Sequence, residues 1–186
     1  IISAHYDHLG IYQGKLCPGA NDNASGVGCI LEVMRRLAKE SLAGTQPRVN
    51  VVAVFWGAEE MGYLGSNYFV KNPTIPLSGL QAVINFDTVA WGEDKNFILW
   101  SQRAGSLSKI IMEAGYNNGA KVELAPRNGH ASDEISFQDS GIPAVTLLSK
   151  DWIRKNHTPE DDLTIINRGK LDTACAILYD TVKKLA

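Results

Sequence analysis

Residues 49–60 read Val49-Asn50-Val51-Val52-Ala53-Val54-Phe55-Trp56-Gly57-Ala58-Glu59-Glu60. The run Val49–Trp56 is too short and too β-branched for a comfortable helix. It also lacks the polar–apolar alternation of a strand with one wet face, so it reads as a strand buried on both sides. The change to Gly57-Ala58-Glu59-Glu60 marks where that strand leaves the core.

Outward from this run, the same signal recurs at Ile1–Ala4, Leu80–Phe86, Phe97–Trp100, Lys121–Leu124 and Ala144–Leu148. Helical patterns fall between them. Val27, Ile30, Leu31, Met34, Leu37 and Ala38 repeat at helical spacing over Ala24–Lys39, with Asn23 available as a cap. Further helices are expected over Gly62–Val70, ending before Pro73, and over Leu107–Ala114 and Ser132–Asp139. The last helix carries Leu171, Cys175, Leu178, Val182 and Leu185 as one apolar stripe. This alternation predicts an α/β fold with a central, mostly parallel or mixed β-sheet sandwiched by helices. Gly14–Ala20 and Asn72–Gly79 read as short connections, and the expectation is one domain over residues 1–186.

The chain has 186 residues, 45% hydrophobic and 20% charged, with a formal net charge of -2. That is enough apolar material for a core and excludes a disordered polymer. No basic excess suits nucleic acid, and no apolar run approaches the roughly 20 residues needed to span a bilayer. Cys17, Cys29 and Cys175 are too few for a disulfide framework or a thiolate zinc site. Because the chain opens within a strand and without Met, it is expected to be a catalytic-domain fragment lacking N-terminal segments of a longer protein.

In open α/β sheets, ligands bind beyond the carboxyl ends of the strands. His5-Tyr6-Asp7 follows the first strand, Glu59-Glu60 the strand quoted above, and Asp87 the run Leu80–Phe86. His157-Thr158-Pro159-Glu160-Asp161 follows the strand near Leu148, and Asn21-Asp22-Asn23 precedes the first long helix. Singly, each has an ordinary role: structural histidines, a helix cap, a solvated first turn, a turn former. Jointly, they place a metal-type ligand at the end of each hydrophobic run, which core packing does not explain.

Two imidazoles and three carboxylates form a hard N/O set suited to two divalent zinc ions, with one carboxylate bridging. A shared water completes such a centre and is the natural nucleophile. In the Glu59-Glu60 pair one carboxylate can ligate while its neighbour handles protons. There is no phosphate-cradling Gly-Lys-Ser motif and no His-Glu-x-x-His pair, which disfavours nucleotide-dependent enzymes and single-zinc thermolysin-type proteases.

His5-Tyr6-Asp7, Pro18 through Gly26, Glu59-Glu60, Asn85-Phe86-Asp87 and His157 through Asp161 together resemble the co-catalytic dizinc aminopeptidases, the clan MH exopeptidases. The likeness runs from residue 1 to the final helix. It implies the phosphorylase/hydrolase-like zinc exopeptidase architecture and two zinc ions. His5 and Asp87 would hold one ion, Glu60 and His157 the other, and Asp22 both. It implies Glu59 as general base, Asp7 as the acceptor that fixes the His5 tautomer, and a cis Asp22–Asn23 peptide bond. The implied substrates are peptides with a free N-terminus, and the implied setting is extracytoplasmic.

Two positions depart from the family pattern. Asn156 stands where an aromatic residue usually precedes the last histidine. Glu134 stands where Ser132-Asp133 would be followed by His, although His130 lies nearby and Asp133 remains a pocket candidate. Asp161 is expected to cap the turn after His157 or to accept its second ring proton. His8 is expected at the polar rim, while Arg127, Trp91, Trp100 and Trp152 are candidates for a pocket wall. Gly19, Gly26 and Gly28 are expected to permit tight backbone approach. Glutaminyl-peptide cyclisation, dizinc carboxypeptidase or dipeptidase activity, and a metal-free receptor-like interaction domain are the competing functions.

Overall fold

The computed structural model describes residues 1–92, 94–101 and 105–185. Strand β1 spans Ile2–His5, β2 Gly10–Tyr12, β3 Lys15–Cys17, β4 Ala53–Trp56, β5 Val83–Phe86, β6 Asn96–Trp100, β7 Lys121–Leu124 and β8 Ala144–Ser149. Helix α1 spans Ser25–Leu42, α2 Leu64–Lys71, α3 Ser106–Asn117, α4 Glu134–Gln138 and α5 Arg168–Leu185. Six strands form one sheet in the order β4-β1-β5-β8-β6-β7, and β2 and β3 pair as a separate antiparallel ribbon.

The four strands β4, β1, β5 and β8 run parallel, β6 is antiparallel to β8, and β7 follows β6 in parallel. The sheet is therefore mixed, and the carboxyl ends of its four parallel strands share one edge. Strand β4 is shorter than the apolar run that announced it, because its partner β1 offers only Ile2–His5 for pairing with Ala53–Trp56. Of the β2–β3 ribbon, β3 lies inside Gly14–Ala20, read from sequence as a connection, and β2 lies just before it, where no strand was expected. The ribbon's exposed, three-residue strands carry too little periodicity to be recognised.

Layering follows the alternation of side chains along each strand. Ile2, Ala4, Ile84, Phe86, Val145 and Leu147 pack with Cys29, Ile30 and Val33 of α1, Ile111 of α3, and Ile177 and Leu178 of α5. On the other face Trp56, Val83 and Ala144 pack with Phe137 of α4 and Phe69 of α2. Cys29 and Cys175 meet between α1 and α5, with sulfurs 3.0 Å apart.

The centre of that second face is polar. Ser3 Oγ donates to Asn85 Oδ1 at 2.9 Å, and Asn85 Nδ2 donates to Ser132 Oγ at 2.9 Å and Thr146 Oγ1 at 3.2 Å. Thr146 Oγ1 donates in turn to Glu134 Oε2 at 2.6 Å. Ser3, Asn85 and Thr146 are register partners on β1, β5 and β8. Their mutual hydrogen bonds satisfy groups that would be costly to bury alone.

Candidate metal centre

His5 ends β1, Glu59 and Glu60 lie in the turn after β4, Asp87 follows β5, and His157 lies in the loop after β8. Asp22 lies in the helical turn Ala20–Ala24, where it and Asn23 leave helical geometry and the Asp22–Asn23 peptide bond is cis. Five residues in or beside these turns hold left-handed backbone without being glycine: Ala58 (φ 56°), Tyr63 (φ 59°), Thr88 (φ 49°), Lys155 (φ 61°) and His157 (φ 57°). Such conformations persist where surrounding contacts over-determine them, as at functional sites.

The five residues meet. His5 Nε2 stands 3.1 Å from Asp22 Oδ1 and 3.5 Å from Asp87 Oδ1. His157 Nε2 stands 3.2 Å from Asp22 Oδ2 and 3.0 Å from Glu60 Oε2. The two oxygens of Asp22 thus face different imidazoles. Ligand atoms of His5, Glu59 and Asp87 lie within 4.8 Å of one another, as do those of His8, Asp22 and Glu60. His5, Asp22, Glu59 and Asp87 are buried, while His157 is half exposed.

The donor set suits divalent cations. Asp87 Oδ1, Glu60 Oε1 and both ring nitrogens of His8 are buried without a hydrogen-bond partner among the described residues. Buried polar atoms are rarely left so, and cations between the two groups would satisfy the carboxylate oxygens. Electrostatics agree. Burial opposes charging His5, but Asp87 and Asp22 outweigh it and hold its pKa well above the usual histidine value. Burial likewise opposes ionised Asp22, yet His157 and His5 keep its pKa well below the usual carboxylate range. Hydrogen bonds to Asp22 and Glu60 push His157 up to about 10. Burial, then the charge of Asp87, pushes Glu59 up to about 9.

A framework of hydrogen bonds to backbone groups fixes the loops that carry these residues. Asp7 presents its carbonyl oxygen, 3.1 Å away, to His5 Nδ1. Its carboxylate instead accepts from the backbone N–H groups of Glu59 at 3.1 Å and Glu60 at 3.3 Å. Asp161 accepts from Asn21 N at 2.6 Å and Asp22 N at 2.9 Å, and the turn cap belongs to Asp162, which accepts from Thr164 N. Asn23 Nδ2 donates to Phe86 O at 2.8 Å, while its Oδ1 accepts from Gly26 N and Thr88 N. Asn21 Oδ1 accepts from Ala90 N at 2.8 Å. Asn21 and Asn23 therefore staple the Asp22 loop to the loop bearing Asp87, a task of which the first helix cap is only a part. Sequence reasoning missed this stapling; the Asn21-Asp22-Asn23 run was its signal.

A cavity of about 330 Å³ opens beside the cluster, lined by Asp22, Glu59, Glu60, Asp87 and His157 on one side. Tyr63, Trp100, His130, Trp152 and Asn156 contribute to its remaining wall. Trp152 packs edge-on against both Trp100 (5.2 Å between ring centroids) and His130 (5.0 Å). Trp91 is elsewhere, under Lys155, and Arg127 faces Glu134 at 3.7 Å. Asp133 is buried but does not line the cavity, and burial raises its pKa to about 7. His8, expected at the rim, is instead packed into the cluster, its Nδ1 2.9 Å from Glu60 Oε1. Gly19 and Gly26 do sit against close neighbours, whereas Gly28 has open space around it.

The family model of peptidase family M28 matches residues 1–182. Aminopeptidase YwaD of Bacillus subtilis is 29% identical over 199 aligned residues, covering 98% of this chain and 41% of that protein. Among solved structures, LapB from Legionella pneumophila superposes with a TM-score of 0.85 at 22% identity, covering 99% of this chain and 50% of that one. The zinc aminopeptidase BSAP from Bacillus subtilis gives 0.82 at 24% identity, covering 99% and 45%. These structural likenesses establish the fold. The chain spans less than half the length of the curated relatives it matches first.

Proposed function

The chain belongs to peptidase family M28, and from that premise we propose that it is the catalytic part of a zinc-dependent aminopeptidase that releases N-terminal residues from peptides. The observation that carries this reading is the Asp22 carboxylate, one oxygen toward His5 and the other toward His157. In this reading His5 and Asp87 would hold one zinc ion and Glu60 and His157 a second, with Asp22 shared between them. Bound there, such ions would supply the charge that acidifies a water and polarises the scissile carbonyl.

Glu59 takes the proton from the attacking water and delivers it to the departing amine nitrogen. Its proton affinity comes from burial and, next, from the charge of Asp87. Asp7 positions Glu59 by holding its backbone N–H, and the same carboxylate holds Glu60. The aromatic wall of Trp100, His130 and Trp152 receives the first side chain of the substrate and excludes water from it. By the same resemblance, we place its activity outside the cytoplasm. No helix among the described residues is long and apolar enough to cross a membrane.

The test is hydrolysis by the zinc-loaded protein of amino-acyl anilides, with and without N-acetylation. Cleavage confined to the free amines is expected. Inactivity on every free-amine substrate with two zinc ions bound would overturn the reading.

A further inference from the structure

Cys29 and Cys175 stand 146 residues apart in the chain and meet between α1 and α5, with sulfurs 3.0 Å apart. A seam of contacts along the two helices fixes that meeting. Arg36 lies over the Tyr179 ring at 5.8 Å, the Tyr179 hydroxyl donates to Glu40, and Lys183 Nζ donates to Glu40 Oε2 at 2.8 Å. The partners rise together, from Cys29 to Glu40 on α1 and from Cys175 to Lys183 on α5, so the helices run parallel in a fixed register. Ile30 and Val33 pack with Ile177 and Leu178 in the same core.

The pairing is unambiguous. Cys17 ends β3, and its sulfur faces the His157 carbonyl oxygen at 3.9 Å, away from this seam. Cys29 also faces the Leu171 carbonyl oxygen, but at 3.8 Å. A disulfide bond is roughly 2.05 Å long, so the two sulfurs need to close by about 1 Å, a distance within reach of side-chain torsions.

We propose that Cys29 and Cys175 are a modification site, oxidised to one disulfide that links α1 to α5 and stabilises the fold. This does not rest on the peptidase reading. The oxidant is a low-molecular-weight disulfide, R–S–S–R. Cys29 is fully buried and Cys175 is 5% exposed, so exchange takes place before α1 closes on α5, and the less buried Cys175 attacks first. Its thiolate bonds to one sulfur of the reagent, the reagent's S–S bond breaks, and one thiolate leaves. Cys29 then gives up its proton and attacks the Cys175 sulfur, expelling the second thiolate. The two cysteines lose two protons and two electrons, and the reagent ends as two R–SH. The closed loop holds most of the chain, Glu60, Asp87 and His157 included, so the bond cuts the conformational freedom of the unfolded state.

The test is refolding of the reduced, urea-unfolded chain in mixed oxidised and reduced glutathione, followed by mass spectrometry and thermal unfolding. The expected product is lighter by two hydrogens, keeps a thiol at Cys17 that reacts after denaturation, and yields a Cys29–Cys175 cross-linked peptide. Its Tm should exceed that of protein held in excess reduced glutathione by about 5–15 °C. Cys17→Ser should keep that difference, and Cys175→Ser should abolish it. Three reactive thiols in the refolded product, or a bond that includes Cys17, would overturn the site. Equal Tm with and without the bond would overturn its stabilising role. Chain produced in an oxidising compartment and never unfolded gives the same mass reading, which covers a failure to refold.

Discussion

His5, near the start of the chain, and His157, near its end, direct their Nε2 atoms at opposite oxygens of one carboxylate, 3.1 and 3.2 Å from Asp22. The parallel arrangement of β1, β4, β5 and β8 makes this possible, since their carboxyl ends share an edge. Four loops of different lengths can then deliver side chains to one point.

Glu59 is the group assigned to proton transfer, so Glu59→Gln should leave zinc content unchanged while turnover falls by about 10²–10⁴-fold. Elemental analysis and amino-acyl anilide kinetics on the same preparation check it. Turnover within a factor of a few of wild type would remove Glu59 from the chemistry.

Asp7 acts on the site through the backbone of its neighbours, accepting from Glu59 N and Glu60 N. Asp7→Ala releases that turn and should lower kcat/KM by about 10- to 100-fold, with a smaller loss in Asp7→Asn, which retains one acceptor oxygen. Equal losses in the two variants would show that the acceptor role is not what matters.

Asp161 is buried and satisfies the N–H groups of Asn21 and Asp22. Asp161→Ala leaves both without a partner, and a buried unsatisfied donor costs about 1–3 kcal/mol. Thermal unfolding of the zinc-free protein should show a lowered Tm, and zinc binding should weaken because Asp22 loses its support. An unchanged Tm would mean that water replaces the carboxylate.

Glu134 links stability to pH. Burial raises its pKa from 4.5 to about 7 in the folded chain, so the native state binds its proton more tightly than the unfolded state. Stability from this group is present below about pH 4.5 and is lost as pH rises through about 7. Glu134→Gln removes the penalty, so its stability relative to wild type should improve across that interval, by about 3 kcal/mol at most, and level off above it. Denaturant midpoints at pH 5 and pH 8 measure the difference, and a parallel shift at both values would refute it.

Gly26 opens α1 where Asn23 and the strand β5 carbonyl converge. A Cβ there would lie 2.4 Å from Asn23 Oδ1 and 2.5 Å from Phe86 O. The carbonyl is fixed by its own bond from Asn23 Nδ2, so Gly26→Ala should destabilise by about 1–3 kcal/mol and loosen the Asp22 loop. Chemical denaturation reads the first effect, and zinc affinity the second.

Much of this molecule was legible in the linear chain. Val49–Trp56, Leu80–Phe86 and Ala144–Leu148 announce buried strands because apolar runs of that length can be hidden only between two helical layers. His5, Glu60, Asp87 and His157 were visible as polar residues following apolar runs, and Asp22 as one preceding the first long helix. Tertiary structure alone decided the antiparallel placement of β6, the β2–β3 ribbon and the packing of His8 against Glu60. It also decided that Asp7 and Asp161 spend their carboxylates on backbone N–H groups of other loops. Hydrophobic periodicity is local and survives in sequence, whereas a carboxylate's partner is set by which distant loop arrives beside it.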